Sequence, residues 1–424
     1  MQLAERHIIK STEHRFATID RLAFKSKNLY NAANYVIRQN FVYGWGYLNY
    51  NKMAQLMKSH PAYKALPAKV SQQILMILDK NWQSFFATVK AYKMQPTKFT
   101  GCPKLPKYKD KVKGRNLVVY TIQAISSKQL PKGIIKISGT DISIKTQVKP
   151  EKICQVRLVP KCDSYAIEVI YDEQESTSDA NQKESVASID LGLNNLGALT
   201  SNQPGFVPLL INGRPLKSIN QFYNKRKAHI QSRLKGLRQT SRRIQRLTRC
   251  RNQKIDNYLH HASRDIINLL RELKIGTLVI GKNVQWKNEI NLGKKTNQNF
   301  VTIPHDRLIE MLEYKAALVG IRVMLQEESY TSVSSFISLD PISVYGQNSA
   351  QDVKFSGKRI KRGLYKTSSG QLINADVNGS YNIMRKAIPN AFSNGIGICV
   401  AQPRRVNPLE VRKKGEGLHA SCVM

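Results

Sequence analysis

The stretch Ser188–Asn195, SIDLGLNN, decides how the rest of the chain is read. It continues an apolar, β-prone run from Val186, yet Asp190 places a carboxylate near the end of that run, two positions before Gly192. A strand carries a charge there for one of two reasons. It closes the strand in a turn, as short polar side chains do, or it is kept for chemistry.

Working outward, further strands are predicted near 196–200 and 206–211, then a very basic helical stretch over about 220–272. GTLVIG (276–281) reads as a strand and IPHDRLIEMLEYKAALVG (303–320) as a helix. IRVMLQEE (321–328) is a strand, an irregular segment follows, and NADVNGSYNIMRKAI (374–388) is a helix. Three strands, helix, strand, helix, strand, helix is the element order of an RNase H-type fold, one mixed sheet flanked by helices. In that order the first strand is central. Asp376 then starts the last helix, where a carboxylate also suits the helix dipole. A strand carboxylate and a helix carboxylate brought together are hard oxygen donors suited to magnesium or manganese. Such ions stabilise the attacking and leaving oxygens of a phosphodiester, and that chemistry normally uses a third carboxylate.

The first half has a different texture. From about Ser11 to Tyr92 the spacing is helical, with Val70, Ile74, Leu78 and Trp82 on one stripe of KVSQQILMILDKNWQSFFATVKAY. A Pro- and Lys-rich connector follows at 94–116. From about Asn116 to Tyr171 the period becomes two. GIIKISGTDISIKT predicts a hairpin with Ile135 and Ile137 facing Ile142 and Ile144, and ICQVRLVPKCDSYAIEVIYD a second hairpin. Short strands of this kind suggest a small β-barrel or curled sheet. DEQESTSDANQKES, at about 172–185, reads as a linker.

Composition bounds the partners. The 424 residues hold 67 Lys+Arg against 29 Asp+Glu, a net charge of +38, with a normal 41% apolar content. A surplus that large calls for a polyanion, and nucleic acid is the natural one. The densest cationic run, NKRKAHIQSRLKGLRQTSRRIQRLTRCRNQK (224–254), has few acids to pair with, so Arg242, Arg243 and Arg246 are expected to track phosphates. FVYGWGYLNYNK (41–52) interleaves Tyr43, Trp45, Tyr47 and Tyr50 with glycines; the rings either stack on exposed bases or staple the helical domain. Six scattered cysteines without a C-x-x-C pair fit a reducing compartment and no structural zinc. No signal-peptide core or membrane-length apolar run is present, so a cytoplasmic, nucleoid-associated bacterial protein is expected.

Three motifs, SIDLGLNNLGALTS (188–201), LVIGKN (278–283) and ADVNGSYNIMRKA (375–387), resemble the RuvC-type motifs of the TnpB family. These are RNA-guided DNA nucleases encoded by bacterial insertion sequences and related to type V CRISPR nucleases. IDNYLHHASRDII (255–267), TNQNFVTIPHDRLIEML (296–312) and EESYTS (327–332) resemble the family in the same order, so the resemblance covers nearly the whole chain. It implies a multidomain α+β protein. A helical recognition insert (11–95) would interrupt a β-barrel wedge domain (1–10 and 96–180), followed by a RuvC-like nuclease domain (181–329 and 372–406). A target-nucleic-acid-binding insertion (330–371) and a flexible tail (407–424) complete it. It also implies a guide RNA from the transposon end, a target double-stranded DNA with a short flanking motif, and no membrane. A monomer is expected.

The chain departs from the family twice. The second motif usually supplies a glutamate just after its strand, and Gly281 and Lys282 stand there instead. The family also usually carries a four-cysteine zinc ribbon; Ser335 and Ser338 stand where the first pair would fall, with neither Cys nor His nearby. The insertion is therefore expected to hold itself without zinc, and its basic hairpin offers Lys358, Arg359 and Arg362 to a nucleic-acid backbone. For the missing glutamate, Glu327 and Glu328 end the strand expected to neighbour the one ending at Gly281. Adjacent residues face opposite ways, so only one of them can serve; Glu328 is the first choice, Glu327 the alternate. Glu289 is a further alternate, on a loop. The expected site is Asp190, Glu328 and Asp376 holding magnesium or manganese. The leading reading is an RNA-guided DNA endonuclease with a single RuvC-like site. The alternative is a catalytically silent RNA-guided DNA-binding regulator. A protein-only junction resolvase is disfavoured by the long first half.

Overall fold

The structure is a computed structural model, described at residues 1–176, 185–236, 238–283, 302–343, 354–361, 363–393 and 402–411. Glu289 and Arg362 lie outside the described residues. The chain divides into two compact units, Met1–Glu173 and Gln174–Met424.

In the first unit β1 (Gln2–Lys10) leads directly into helices α1 (Arg15–Val42), α2 (Tyr50–Met57), α3 (Pro61–Lys64) and α4 (Ala68–Met94). The chain then returns as strands β2 (Val118–Thr121), β3 (Ile134–Lys136), β4 (Ser143–Lys145), β5 (Ile153–Pro160) and β6 (Ser164–Asp172). The main sheet is antiparallel, in the order β1-β6-β5-β2, so the helices are an insertion between two of its strands. The β3–β4 ribbon pairs Ile135 with Ile144, as the alternation required. It is tied to the sheet at both ends. Ile125, just after β2, bridges Ile137. Thr146 Oγ1 and the Gln147 N–H donate to Glu5 Oε2 on β1 at 2.7 and 3.2 Å. The strands thus curl around one core. The predicted stripe of α4 enters that core, with Val70, Ile74, Leu78 and Trp82 fully buried. Trp82 Nε1 donates to Asn34 Oδ1 at 3.0 Å, which satisfies the one polar atom of that side chain.

The second unit begins with β7 (Val186–Leu191), β8 (Asn195–Ser201) and β9 (Leu209–Asn212), then α5 (Arg214–Gln231) and α6 (Arg242–Glu272). Next come β10 (Thr277–Gly281), α7 (His305–Ala317), β11 (Arg322–Gln326), β12 (Lys358–Lys361), β13 (Leu364–Lys366), β14 (Leu372–Asn374), α8 (Ala375–Ala387) and β15 (Arg404–Val406). The large sheet runs β11-β10-β7-β8-β9-β15, and β7 is central as the element order demanded. β7 is parallel to β10 and antiparallel to β8. β15, which pairs parallel to β9, adds an edge strand that the sequence pattern does not predict.

The basic stretch read as one helical region is two helices, beginning at Arg214. Gly236, with φ of +63°, lies in the break, and Ser241 Oγ caps the second helix by accepting from the Ile244 N–H at 3.3 Å. Alternation along β7 splits the two faces of the sheet. Ala187, Ile189 and Leu191 pack with Leu259, Ile266, Leu308 and Leu312 of α6 and α7. On the opposite face Val186 packs with Ile383 and Met384 of α8, so Ser188 and Asp190 point to the same side as α8.

Candidate active site

Polar residues on β7 are satisfied by α8. Ser188 Oγ donates to the Ser380 carbonyl at 2.7 Å, and Ser380 Oγ returns a bond to the Ser188 carbonyl at 3.0 Å. Thr200 Oγ1 lies 2.8 Å from Ser188 Oγ and 2.9 Å from Ser380 Oγ. This buried hydroxyl knot fixes the height of α8 over the sheet. The residue before Ser380, Gly379, meets Asp190; a Cβ on residue 379 would lie 2.8 Å from Asp190 Oδ2. Any side chain at 379 would push the Asp190 carboxylate aside.

Three carboxylates share this edge. Asp190 is the last residue but one of the central strand, Asp376 sits in the first turn of α8, and Glu328 lies just beyond β11. Burial, then Glu328 and Asp376, push Asp190 well above the ordinary carboxylate range, while Arg359 works the other way. Burial, and then Glu327, raise Glu328 to about 7. Glu328 Oε1 is buried with no hydrogen-bond donor among the described residues.

The position of Glu328 bears on the missing family glutamate. A Cβ built on Gly281 would lie 2.3 Å from Glu328 Oε1 and 2.8 Å from its Cγ. The carboxylate from the neighbouring strand end therefore occupies the space that a side chain on residue 281 would enter. Parallel register places Gly281 opposite Gln326, so residue 328 overhangs the end of β10. Asn283 holds it there: its Oδ1 accepts from the Glu328 N–H at 2.8 Å, and its Nδ2 stands 3.5 Å from Glu328 Oε2. Lys282 turns aside, with Nζ 3.1 Å from Asp306 Oδ1.

Glu327 goes elsewhere. It takes a bond from Lys386 Nζ at 2.5 Å and one from the Ser329 N–H at 2.7 Å, and together with Ser329 Oγ these hold its carboxyl below the usual range against the opposing effect of burial. Asp376 is oriented by Asn195 Nδ2 at 2.7 Å. Arg359, expected at a nucleic-acid backbone, stands with its guanidinium 3.7 Å from Asp376 Oδ1. Among the described residues no three Asp, Glu, His or Cys side chains are drawn close enough to hold an ion as they stand. The donor set nonetheless fits a divalent cation. It is all oxygen, it contains a buried carboxylate oxygen with no donor among the described residues, and the charges of Glu328 and Asp376 add to burial in raising Asp190. Asn195 and Asn283 were missed from the sequence. Each lies inside a recognised motif, and only the fold shows that its amide points at a carboxylate.

The segment that follows β11 hangs on α8. Asn378 accepts from the Phe336 N–H at 2.9 Å and donates to the Ser334 carbonyl at 2.8 Å, and Asn382 Nδ2 donates to the carbonyls of Thr331 and Ser334. Where the first cysteine pair would fall, Ser335 Oγ bonds Ser338 Oγ at 3.1 Å, and Ser338 Oγ is 3.1 Å from Ser368 Oγ. Buried Asp340 accepts from the N–H groups of Ser335 and Ser356, each at 2.9 Å. Lys358 is exposed. Arg242, Arg243 and Arg246 are also exposed, on the first turns of α6, and Arg243 helps Arg226, His229 and Arg233 line a cleft of about 250 Å³.

Comparison with known proteins agrees with the motifs. Residues 166–287 match the OrfB_IS605 family, described as a probable transposase. Residues 305–383 match the Cas12f1-like TNB domain. A TnpB-like protein, ORF457 of Acidianus two-tailed virus, is 25% identical over 405 residues, covering 87% of this chain and 83% of that one. In fold, the chain resembles a Cas12f1 solved in complex with sgRNA and target DNA, at a TM-score of 0.52 and 14% identity over 86% of this chain and 82% of that one. In motif order, in the two family models it matches and in a TnpB-like relative matched along most of its length, this chain resembles the TnpB family.

Proposed function

We propose that the protein is an RNA-guided DNA endonuclease of a transposable element, cutting DNA matched to a guide RNA at a single RuvC-like site. The observation that supports this most is the placement of Glu328. Gly281 and Lys282 stand where the second motif usually has its glutamate, Glu328 Oε1 lies where a side chain on residue 281 would go, and the Glu328 charge acts on Asp190. A site under no pressure to function has no reason to keep a buried carboxylate oxygen that has no donor among the described residues, since such an oxygen is costly to hold.

In this reading Asp190, Glu328 and Asp376 would hold magnesium or manganese, which when bound supplies positive charge to the attacking and leaving oxygens of the phosphodiester. The protein's own residues position those donors. The hydroxyl knot sets α8, Gly379 leaves room for the Asp190 carboxylate, Asn283 orients Glu328 and Asn195 orients Asp376. Base pairing with the guide would read sequence, while the protein reads backbone and a short flanking motif. The insertion at 330–371 is proposed to contact the target strand and to stand without zinc, on its hydroxyl and Asp340 contacts.

A second reading, guided binding without cleavage, draws on the fact that the carboxylates are not gathered among the described residues and that Arg359 stands at Asp376. One experiment separates them: cleavage of a guide-matched plasmid in magnesium or manganese, with target binding measured alongside. Cutting by the unmodified protein, abolished in Asp190→Ala and Asp376→Ala while binding persists, supports the nuclease. Binding without any cutting supports the silent regulator.

A further inference from the structure

The aromatic stretch FVYGWGYLNY divides into two parts. Tyr47 and Tyr50 face inward: Tyr47 OH donates to Asp79 Oδ1 at 2.6 Å, and the Tyr50 N–H donates to the same oxygen at 2.9 Å. The Tyr47 ring packs against Trp82 and Phe86. Tyr43 and Trp45 face outward, 63% and 72% exposed. Their ring centroids are 5.3 Å apart and their planes differ by 31°.

This display is built into the backbone. The N–H of Tyr43 bonds the Gln39 carbonyl at 3.0 Å and that of Trp45 bonds the Asn40 carbonyl at 2.9 Å, so the loop is fastened to the end of α1. Gly44 and Gly46 take φ of +77° and +90°, and a Cβ on either would meet nothing within 4 Å. These glycines are there for the left-handed turn and not for packing room. Beneath the turn Phe41 rests on Trp82, Phe85 and Phe86. Large rings held open to water are costly unless something covers them.

We propose that Tyr43 and Trp45 form a stacking platform for an unpaired base of single-stranded RNA. The proposal rests on the nucleic-acid partner of the preceding reading, and not on cleavage. Charge complementarity points to a polyanion. The helical segment 11–95 carries 12 Lys or Arg and only three acids, Glu13, Asp20 and Asp79. All three acids are engaged internally, by Arg15, by Arg115, and by Tyr47 with Tyr50. A second copy of this chain, at +38, would be repelled. Duplex bases are already stacked on one another, whereas single-stranded RNA presents open faces that aromatic side chains take up.

The test uses full-length protein and a short oligouridine RNA, with the same strand carrying abasic sites and an oligothymidine DNA as further arms. Trp45→Ala should weaken oligouridine binding ~10-fold, the size of one base–aromatic stack. Trp45→Phe should recover most of that loss, and the abasic strand should bind wild type and Trp45→Ala alike. Circular dichroism melts should coincide, because the ring is exposed. Equal binding of oligouridine by wild type and Trp45→Ala overturns the platform, as does an equal loss on the abasic strand. A loss confined to oligothymidine overturns the RNA assignment. A protein that binds none of the three strands removes the nucleic-acid reading itself, an outcome distinct from failure of the platform alone.

Discussion

At the scale of single residues, the chemistry turns on an exchange between Gly281 and Glu328. Glu328 occupies the volume that a residue 281 side chain would take, so Gly281→Ala forces the carboxylate to move. The obstructing atoms belong to the end of a flexible side chain and to Ile383, so the fold should survive. Cleavage should fall ~100-fold, the effect of an ångström-scale misplacement of a reacting group, with little change in melting temperature. The two adjacent glutamates should also separate. Glu328→Ala should abolish cleavage with target binding retained. Glu327→Ala should cut at close to the normal rate and lose only about 1 kcal/mol, since its pair with Lys386 is partly open to solvent. If Glu328→Ala cuts normally, the third carboxylate is elsewhere.

At the scale of elements, two contacts carry measurable weight. Asp20 joins α1, the connector and β6: Arg115 holds it through Nε and Nη2 at 2.8 Å each, and Tyr165 OH donates at 2.7 Å. Mainly through Arg115, and then Tyr165, its carboxyl sits below the usual range although burial opposes the shift. A depressed carboxyl stabilises the folded state above its unfolded value and loses that contribution as pH falls through the folded one. Wild type should therefore lose denaturant resistance from about pH 4 downward, and Asp20→Asn should be weaker at neutral pH with a flatter acid limb. A steep acid limb unchanged in Asp20→Asn would assign the acid sensitivity to other groups. In the insertion, Asp340→Ala removes two backbone bonds to a buried carboxylate and should cost about 2 kcal/mol. Zinc chelators should leave the melting of the wild-type protein unchanged; stoichiometric zinc in the purified protein would contradict this.

At the scale of the whole molecule, charge dominates. A net +38 means that most binding free energy should come from phosphate neutralisation, with affinity falling steeply as salt rises. Arg242, Arg243 and Arg246 stand exposed on α6. Reversing all three should weaken every nucleic-acid sequence alike and lower the salt slope by about one for each phosphate no longer neutralised. A loss confined to one sequence would mean that they read bases. Among the described residues no helix is long and apolar enough to cross a membrane.

The sequence alone determined what depends on local pattern and element order. Alternation placed the β3–β4 ribbon and its isoleucine pairs, helical spacing marked the buried stripe of α4, and the order of strands and helices put Asp190 on the central strand. Those features follow from periodicities of two and 3.6 and from topology. The break between α5 and α6 was missed because the basic run continues across it from one helix into the next, and β15 because three residues are too short for a pattern. Only the tertiary structure decided the rest. Which of two adjacent glutamates faces Asp190, which rings of one aromatic run turn outward, and which asparagines orient carboxylates are all set by where separate elements meet. Glu328 and Gly281 are far apart along the chain and share one volume solely because β10 and β11 run parallel in register.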